Sequence, residues 1–199
     1  MKIAGLIFAA GESARMGRDK ALLDFQGSTF LNRLVALFLP RVDPLVVVLG
    51  HHAASIRETI SADPSHPAPL QIVINEHYQQ GMLSSFQAGI RALPAETSAT
   101  LFTLVDHPAV RASTLDQLLE TLARKQPLLV IPRYQGQRGH PVAAARSILD
   151  EILALSGDSS PKNVIRAHRA ETVFVDVDDP GVVTDVDLPE EYQALRASS

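Results

Sequence analysis

Apolar residues along the chain fall into two alternating patterns, short continuous runs and longer stretches with helical spacing. The short runs cover residues 2–9, 42–49, 70–75, 100–105, 128–132 and 172–177. Continuous apolar runs are typical of parallel strands that are covered on both faces. Helical spacing is clearest over residues 29–39, 114–122 and 148–155, and a further helix is predicted over residues 84–93. The pattern therefore predicts strands that alternate with helices.

Such an alternation predicts an α/β fold, in a single domain that spans residues 1–199. Parallel strands are joined by right-handed helical crossovers, so we expect a three-layer α/β/α sandwich around a mostly parallel, Rossmann-like sheet. A small antiparallel addition is expected near residues 134–142. The Pro-rich segment 62–69 is interpreted as a surface loop, because strand-like sequence resumes directly after it.

Composition excludes several classes of protein. The chain has 18 Lys and Arg against 22 Asp and Glu, a net charge of −4, which argues against nucleic-acid or membrane binding through a broad basic face. Cysteine is absent, which removes disulfides, thiolate metal sites and cysteine nucleophiles. No apolar run approaches a bilayer span, and the first run is interpreted as a buried strand rather than a signal peptide. A cytoplasmic location is therefore expected.

The loop after the first predicted strand is the strongest candidate for ligand binding, because ligands of open parallel sheets bind outside the carboxyl ends of strands. It reads Ala9-Ala10-Gly11-Glu12-Ser13-Ala14-Arg15-Met16-Gly17-Arg18-Asp19-Lys20. Its two glycines let the backbone bend and approach a ligand, and successive amides in such a loop form an anion-binding concavity. The loop matches neither the P-loop nor the Gly-x-Gly-x-x-Gly pattern.

Side chains of this loop agree with a nucleotide cradle. Arg15 and Lys20 add positive charge beside the concavity, and the small Ala9 and Ala10 leave room for a flat base. The alternative interpretation is a surface turn with solvated charges. Asp106 ends a predicted strand at the same edge of the sheet and is interpreted either as a turn former or as a ligand of Mg²⁺, which takes one or two carboxylates together with substrate phosphates.

The run L-x-x-A-A-G-x-S-x-R-M-G-x-x-K, from Leu6 to Lys20, resembles the signature loop of the nucleotidyltransferase superfamily. More narrowly, the chain is similar to the molybdenum cofactor cytidylyltransferases and their guanylyltransferase relatives. The other matching pieces follow in the family's order: Gly81-Met82-Leu83-Ser84-Ser85, Val105-Asp106-His107-Pro108, Arg138-Gly139-His140-Pro141-Val142, Leu155-Ser156-Gly157-Asp158 and Asp185-Val186-Asp187-Leu188-Pro189-Glu190-Glu191.

This resemblance implies transfer of a nucleoside monophosphate from a nucleoside triphosphate, CTP before GTP, to a phosphate-bearing acceptor such as molybdopterin, with release of pyrophosphate. It implies a Mg²⁺ cofactor held by Asp106 and Asp187, with Asp185 as the alternative to Asp187, and a molybdoenzyme as a partner. Catalytic roles are implied for Arg15, Lys20 and Asp106. The implied nucleotide-binding residues are Ala9, Ala10, Gly11, Ser13, Arg15, Lys20, Gly81, Met82, Ser84 and Ser85, and the implied acceptor-binding residues are Gly139, His140 and Asp158.

Several of these residues also have ordinary structural interpretations. Asp187 is expected to cap the helix that begins with Pro189, and the serines of segment 81–85 are typical helix caps. His51 and His52 are likewise interpreted as capping a helix start, because their spacing is not that of metal ligands on a helix face. His140 is expected to shape the acceptor pocket rather than act as a base, since a phosphate monoester is already anionic at neutral pH.

The chain also departs from the family pattern. Val105 stands where molybdopterin-branch members usually carry Gly, Leu188 replaces a usual Thr, and Ser159-Ser160-Pro161-Lys162 stands where Lys-Gly-Ala-Arg is usual. The alternatives are therefore a guanylyltransferase, a sugar- or alcohol-phosphate nucleotidyltransferase, or a non-catalytic nucleotide sensor or cofactor chaperone. Two carboxylates that face a triphosphate favour the enzyme, and the missing Gly-x-Gly-x-x-Gly excludes a dehydrogenase.

Overall fold

Strands and helices alternate through the chain as the apolar pattern predicts. The computed structural model describes residues 1–60, 69–157 and 159–197, so most of the predicted loop 62–69 and Asp158 lie outside the described residues. The strands are β1 (Ile3–Ala9), β2 (Asp24–Phe25), β3 (Ser28–Thr29), β4 (Leu45–Leu49), β5 (Leu70–Ile74), β6 (Ala99–Leu104), β7 (Leu129–Tyr134), β8 (Gln137–Arg138), β9 (Val142–Ala145) and β10 (Thr172–Asp176). The helices are α1 (Phe30–Phe38), α2 (Ala53–Thr59), α3 (Met82–Arg91), α4 (Ala112–Lys125), α5 (Arg146–Ala154), α6 (Pro161–Ala167) and α7 (Pro189–Ala197).

The central sheet has the order β10-β7-β9-β6-β1-β4-β5, with β8 paired to β7. β1 pairs in parallel with β4 and β6, β4 pairs in parallel with β5, and β7 pairs in parallel with β10. The register aligns Ala9 with Leu49 and Phe8 with Leu104, so the carboxyl ends of these central strands lie side by side. This edge of the sheet carries the loop 10–20 and Asp106.

The predicted antiparallel addition near residues 134–142 is confirmed, but it extends further than expected. β8 forms a hairpin with β7, and β9 runs antiparallel to both β6 and β7 in the interior of the sheet. β9 reads Val-Ala-Ala-Ala, which has little of the β-branched character that marks a strand in a sequence. Its pairing with two long neighbours compensates for that weak propensity.

Two apolar cores lie on opposite faces of the sheet, which gives the predicted three layers. Alternate residues of β1 serve the two cores: Ile7 belongs to one, whereas Leu6 and Phe8 belong to the other. The first core includes buried residues of α1, α2, α4 and α7, and the second includes those of α3, α5 and α6. Both faces of the central strands are thereby removed from water, which explains their continuous apolar sequence.

The helix starts follow from local chemistry at two places. The Thr29 side chain accepts a hydrogen bond from the Asn32 amide at the start of α1, and the Ser160 side chain accepts one from the Lys162 amide at the start of α6, whose first residue is Pro161. Helices α2 and α6 have seven residues each; only the start of α2 was predicted, at His51 and His52, because two turns carry too short a periodic pattern to detect. Among the described residues, no helix combines the length and apolarity that a membrane crossing requires.

Candidate active site

A cavity of about 500 Å³ opens at the carboxyl edge of the sheet. Its walls come from the ends of β1 and β6, from the loop between β1 and the turn 20–22, and from the first turn of α3. The sequence-predicted residues that line it are Ala9, Ala10, Gly11, Ser13, Arg15, Lys20, Gly81, Met82, Ser85, Asp106 and Asp187. These residues, from four separate parts of the chain, thus meet in one cavity.

Ser13 organises the loop that forms one wall of the cavity. Its carbonyl accepts hydrogen bonds from the Met16 and Gly17 amides at 3.0 and 3.1 Å, and its hydroxyl accepts one from the Lys20 amide at 3.1 Å. Ser13 itself has a positive φ of 52°, a conformation that is uncommon outside glycine. The hydroxyl therefore helps to fix the position of Lys20, and its O–H can still donate to a ligand in the cavity.

The Lys20 ammonium lies between the two predicted metal ligands. Lys20 Nζ is 3.3 Å from Asp106 Oδ2 and also donates a hydrogen bond to Asp187 Oδ1, while Arg15 Nη2 donates to Asp187 Oδ2 at 2.7 Å. The Lys20 side chain is only 11% exposed, whereas Arg15 is 69% exposed. The hydrogen bond from Lys20, with the nearby Arg15 guanidinium, holds the pKa of Asp187 below its usual value. Asp187 is accordingly an anion at neutral pH.

Asp187 reaches this position because its segment is tied to Asp106 by the backbone. The Val186 amide donates to the Asp106 carbonyl at 3.0 Å, which brings the two carboxylates to the same point. The prediction that Asp187 caps the next helix is wrong. Glu191 Oε2 accepts hydrogen bonds from the Asp187 and Leu188 amides at 2.7 and 2.8 Å, so the glutamate in the first turn performs the capping and both Asp187 oxygens face cations instead.

The Asp106 carboxylate retains an unused oxygen. Asp106 Oδ1 is buried and has no hydrogen-bond partner among the described residues; the nearest ionisable contact is His107 Nε2 at 3.8 Å. A buried anionic oxygen without a partner is costly unless a cation or water binds it. Together with Asp187, it supplies the hard oxygen donors that Mg²⁺ and Mn²⁺ prefer. The two carboxylates therefore fit a divalent cation, and Asp185 also lines the cavity nearby.

The predicted binding residues at the start of α3 lie in two different places. Gly81, Met82 and Ser85 line the cavity. Ser84 does not: its hydroxyl donates to the Gly81 carbonyl at 2.8 Å and the His77 carbonyl at 2.9 Å, and it faces a separate groove. Ser84 thus helps to form the start of α3. It does not line this cavity, so the structure gives no support to its predicted contact with a nucleotide.

The predicted acceptor residues Gly139 and His140 do not line the cavity. A Cβ on Gly139 would lie 1.8 Å from the Val182 carbonyl oxygen, so the position requires glycine for packing, and the His140 amide donates to that same carbonyl. The His140 ring lies 4.8 Å from the His107 ring, between centroids. Burial lowers the pKa of His140 to about 3 and also lowers the pKa of His107. Both imidazoles are therefore neutral at physiological pH.

Acid should destabilise the protein through His140. Its pKa is lowered from 6.5 to about 3, so between these values the unfolded chain binds a proton that the folded protein does not. Above pH 6.5 His140 does not lower the free energy of unfolding. Below pH 6.5 it lowers the free energy of unfolding by up to about 1.4 kcal/mol for each pH unit. In His140→Gln this slope should decrease by that amount, as measured by urea denaturation between pH 7 and 4. The exposed His77→Gln is the control, and an unchanged slope in His140→Gln would contradict the assignment.

Three polar residues of the cavity lining, Asp19, Tyr78 and Lys162, were not predicted as site residues. Tyr78 precedes α3 and belongs to no recognisable motif, and Asp19 occupies an unspecified position of the signature loop after β1. Lys162 lines the cavity from α6, and the sequence held a signal for it, since it stands fourth after Asp158, where the family pattern has Arg. The altered segment 159–162 thus still brings a cation to the cavity.

His51 and His52 do not cap α2 through their side chains, contrary to the prediction. His52 occupies the N-cap position with a φ of 49° and makes no side-chain capping hydrogen bond. The two rings instead point at Asp19: His51 Nδ1 lies 3.4 Å from Asp19 Oδ1, and His52 Nδ1 lies 2.9 Å from Asp19 Oδ2. The local sequence at a helix start cannot predict a contact with a residue from another loop.

A glycine-containing loop, converging carboxylates and fixed cations at the carboxyl edge of a parallel sheet define a nucleotide-binding α/β protein. Residues 5–173 match the family model described as the MobA-like NTP transferase domain. The chain therefore belongs to this family of nucleotidyltransferases, and the predicted resemblance is confirmed.

Relatives with different named activities cover nearly the whole chain. It is 27% identical to "Nicotine blue oxidoreductase" of Paenarthrobacter nicotinovorans, over 97% of this chain and 96% of the relative. It is 22% identical to "Molybdenum cofactor cytidylyltransferase" of Escherichia coli, over 94% and 92% of the two chains. Among solved structures, Rv0371c of Mycobacterium tuberculosis has a TM-score of 0.81 at 24% identity and covers 99% and 98%, and its manganese complex has a TM-score of 0.77 at 23% identity and covers 100% of both chains. These structures have the same fold as this chain.

Proposed function

We propose that the protein transfers a nucleoside monophosphate from a nucleoside triphosphate, with CTP preferred, to a phosphate-bearing acceptor and releases pyrophosphate. The observation that carries the proposal is the convergence of Asp106, Asp187 and Lys20 beside the loop 10–20 in one cavity. A protein that only binds a nucleotide needs cations for the phosphates, but it has no need of two acidic groups facing a triphosphate. The paired carboxylates are therefore best explained by a divalent ion bound together with the nucleotide.

The transfer needs little covalent chemistry from the protein. An oxygen of the acceptor phosphate forms a bond to the α-phosphorus of the triphosphate, the bond to the bridging oxygen breaks in line, and pyrophosphate leaves with that electron pair. The acceptor is already anionic, so no general base is required. The chain's contribution is positioning and electrostatic stabilisation, the two effects that dominate phosphoryl-type transfer.

Each charged residue has a role in this scheme. Asp106 and Asp187 hold Mg²⁺, which when bound neutralises the phosphates and stabilises charge on the reacting phosphorus. Lys20 and Arg15 neutralise charge that builds up on the leaving pyrophosphate. Lys162 of α6 lines the same cavity and adds a cation that can bind the acceptor phosphate. The manganese complex of Rv0371c supports a divalent cation in this fold.

Molybdopterin is the favoured acceptor, and a molybdoenzyme is the favoured recipient of the product. The named activity of the Escherichia coli relative supports this choice. The relative named an oxidoreductase supplies the alternative to be tested.

A thermal-shift panel of the four ribonucleoside triphosphates, each with and without Mg²⁺, is the first experiment. Pyrophosphate release with molybdopterin present tests the transfer; oxidoreductase activity without any pyrophosphate release would overturn it.

CTP should be preferred to GTP by about 10–200-fold in kcat/KM, the range that one methyl group in a pocket can supply. Ala10 lines the cavity and is only 5% exposed; we infer that its methyl group restricts the space for a base and favours the smaller pyrimidine. Initial rates with each triphosphate at equal Mg²⁺ measure this preference.

Ala10→Gly tests the origin of the preference. The substitution removes only the methyl group, so the ratio of CTP to GTP should fall towards one. Ala95→Gly is the control, because Ala95 is an exposed turn residue that does not line the cavity. Faster use of GTP by the unmodified protein would overturn the cytidylyl assignment and leave nucleotidyl transfer intact.

A further inference from the structure

Two adjacent imidazoles and one carboxylate converge outside the pair of catalytic carboxylates. The two oxygens of Asp19 are 3.4 Å from His51 Nδ1 and 2.9 Å from His52 Nδ1. The two imidazole rings lie 3.7 Å apart between centroids. One ligand atom from each of the three residues lies within 4.8 Å of the others. This compact group is called the His-Asp cluster below.

The spacing of these atoms fits a metal ion. Zinc bonds to nitrogen and carboxylate oxygen are about 2.0–2.2 Å long, so neighbouring ligands of a tetrahedral ion lie about 3.3–3.5 Å apart. The two nitrogen–oxygen distances in the cluster are 3.4 and 2.9 Å, so small side-chain rotations suffice to admit an ion. Three protein ligands leave a position for water or for a ligand oxygen, as in open metal sites.

The donor atoms separate this cluster chemically from Asp106 and Asp187. Two carboxylates offer only hard oxygen donors and suit Mg²⁺ or Mn²⁺, whereas imidazole nitrogens favour Zn²⁺ and the later first-row ions. The cluster is also accessible: the His52 side chain is 58% exposed, and Asp19 lines the cavity described above. An ion can therefore enter from solvent and stand at the cavity mouth.

The backbone holds the cluster against the nucleotide loop. The His51 amide donates to the Ala10 carbonyl at 3.2 Å. A Cβ on Gly50 would lie 2.6 Å from Tyr78 Cβ and 2.7 Å from the Ala10 carbonyl oxygen, so only glycine permits this close approach. An ion in the cluster would consequently join the end of β4 to the loop after β1 and stabilise the wall of the cavity.

We propose that Asp19, His51 and His52 form a binding site for a divalent first-row transition ion of the Zn²⁺ class. The site is separate from the ion that the proposed transfer requires, and it does not depend on that function. Its expected consequence is a raised melting temperature when Zn²⁺ is bound, because an ion that binds only the folded state stabilises it.

Zn²⁺ titration by calorimetry, with Co²⁺ absorption spectra as a report on imidazole ligation, tests the site. The variants are His51→Ala and His52→Asn; asparagine tolerates the left-handed backbone of position 52. His77→Ala is the control for adventitious binding to an exposed histidine. A double variant, Asp106→Asn with Asp187→Asn, removes the other cation site. Circular dichroism verifies that each variant is folded.

We expect one Zn²⁺ per chain in the unmodified protein, the His77→Ala control and the double variant. Affinity should fall at least tenfold in His51→Ala and in His52→Asn, and the rise in melting temperature should disappear. The proposal is overturned if both histidine variants keep the affinity of the unmodified protein. It is equally overturned if binding disappears in the double variant alone, because the ion would then occupy the catalytic carboxylates.

Discussion

Asp106→Asn is expected to reduce pyrophosphate release at least about 100-fold while the protein stays folded. The substitution is nearly isosteric, so it removes charge and little else. Asp106 Oδ1 is the buried oxygen without a partner, and Oδ2 is 3.3 Å from Lys20 Nζ. An amide at this position can no longer neutralise a divalent ion, and losses of one well-placed electrostatic contact reach this size in enzymes.

The measurement is the initial rate of pyrophosphate release at saturating CTP, molybdopterin and Mg²⁺. Asp116→Asn is the matched control, since its carboxylate forms a salt bridge with Arg41 and is 59% exposed; such surface pairs contribute little. The control should retain full activity. If Asp106→Asn keeps more than a tenth of the rate, Asp106 does not belong to the reacting centre.

Lys20→Met should weaken triphosphate binding by about 10–100-fold and reduce the salt dependence of the affinity. Methionine keeps a similar unbranched stem but lacks the ammonium, and the Lys20 side chain is only 11% exposed, so its charge is poorly screened by solvent. Without it, Asp106 and Asp187 also repel each other across the cavity. Lysine acts here as a compact point charge that a neutral side chain cannot replace.

Calorimetric titration with CTP and Mg²⁺ at two salt concentrations measures both effects. Arg18→Met is the control, because Arg18 is an exposed cation of the same loop and is not part of the cavity lining. It should bind as the unmodified protein does. An unchanged dissociation constant in Lys20→Met would show that Lys20 serves the two carboxylates and does not bind the triphosphate.

The two variants should also differ in how they respond to the divalent ion. Lys20 Nζ contacts both carboxylates, so an incoming ion competes with the ammonium for the same oxygens. Removing the ammonium leaves Asp187 paired with Arg15 alone and takes the Lys20 cation away from Asp106, so it should strengthen binding of Mg²⁺ alone, even as triphosphate binding weakens. Removing the Asp106 charge should weaken the binding of both.

The sequence by itself determined the fold class and most of the site. Strands covered on both faces need continuous apolar runs, and helices need apolar stripes, so β1, β4, β6, α1 and α4 are visible in the printed residues. The loop 10–20 is a local motif, and the strand that precedes it places it at the carboxyl edge of the sheet. The resemblance to the nucleotidyltransferases then pointed to Asp106 and Asp187 as candidate metal ligands.

Only the tertiary structure decided which groups these residues meet. The sequence gives no distance between Lys20 and Asp187, which lie 167 positions apart and form a hydrogen bond. Nor does it reveal that Glu191 caps α7 and frees Asp187, or that β9 enters the sheet interior with a run of alanines. His51 and His52 read locally as a helix start, yet their partner is Asp19, some thirty positions away in the chain. The local apolar pattern shows which face of a helix or strand is buried. Contacts between distant side chains depend on how the helices and strands pack together, and that packing is a property of the whole chain.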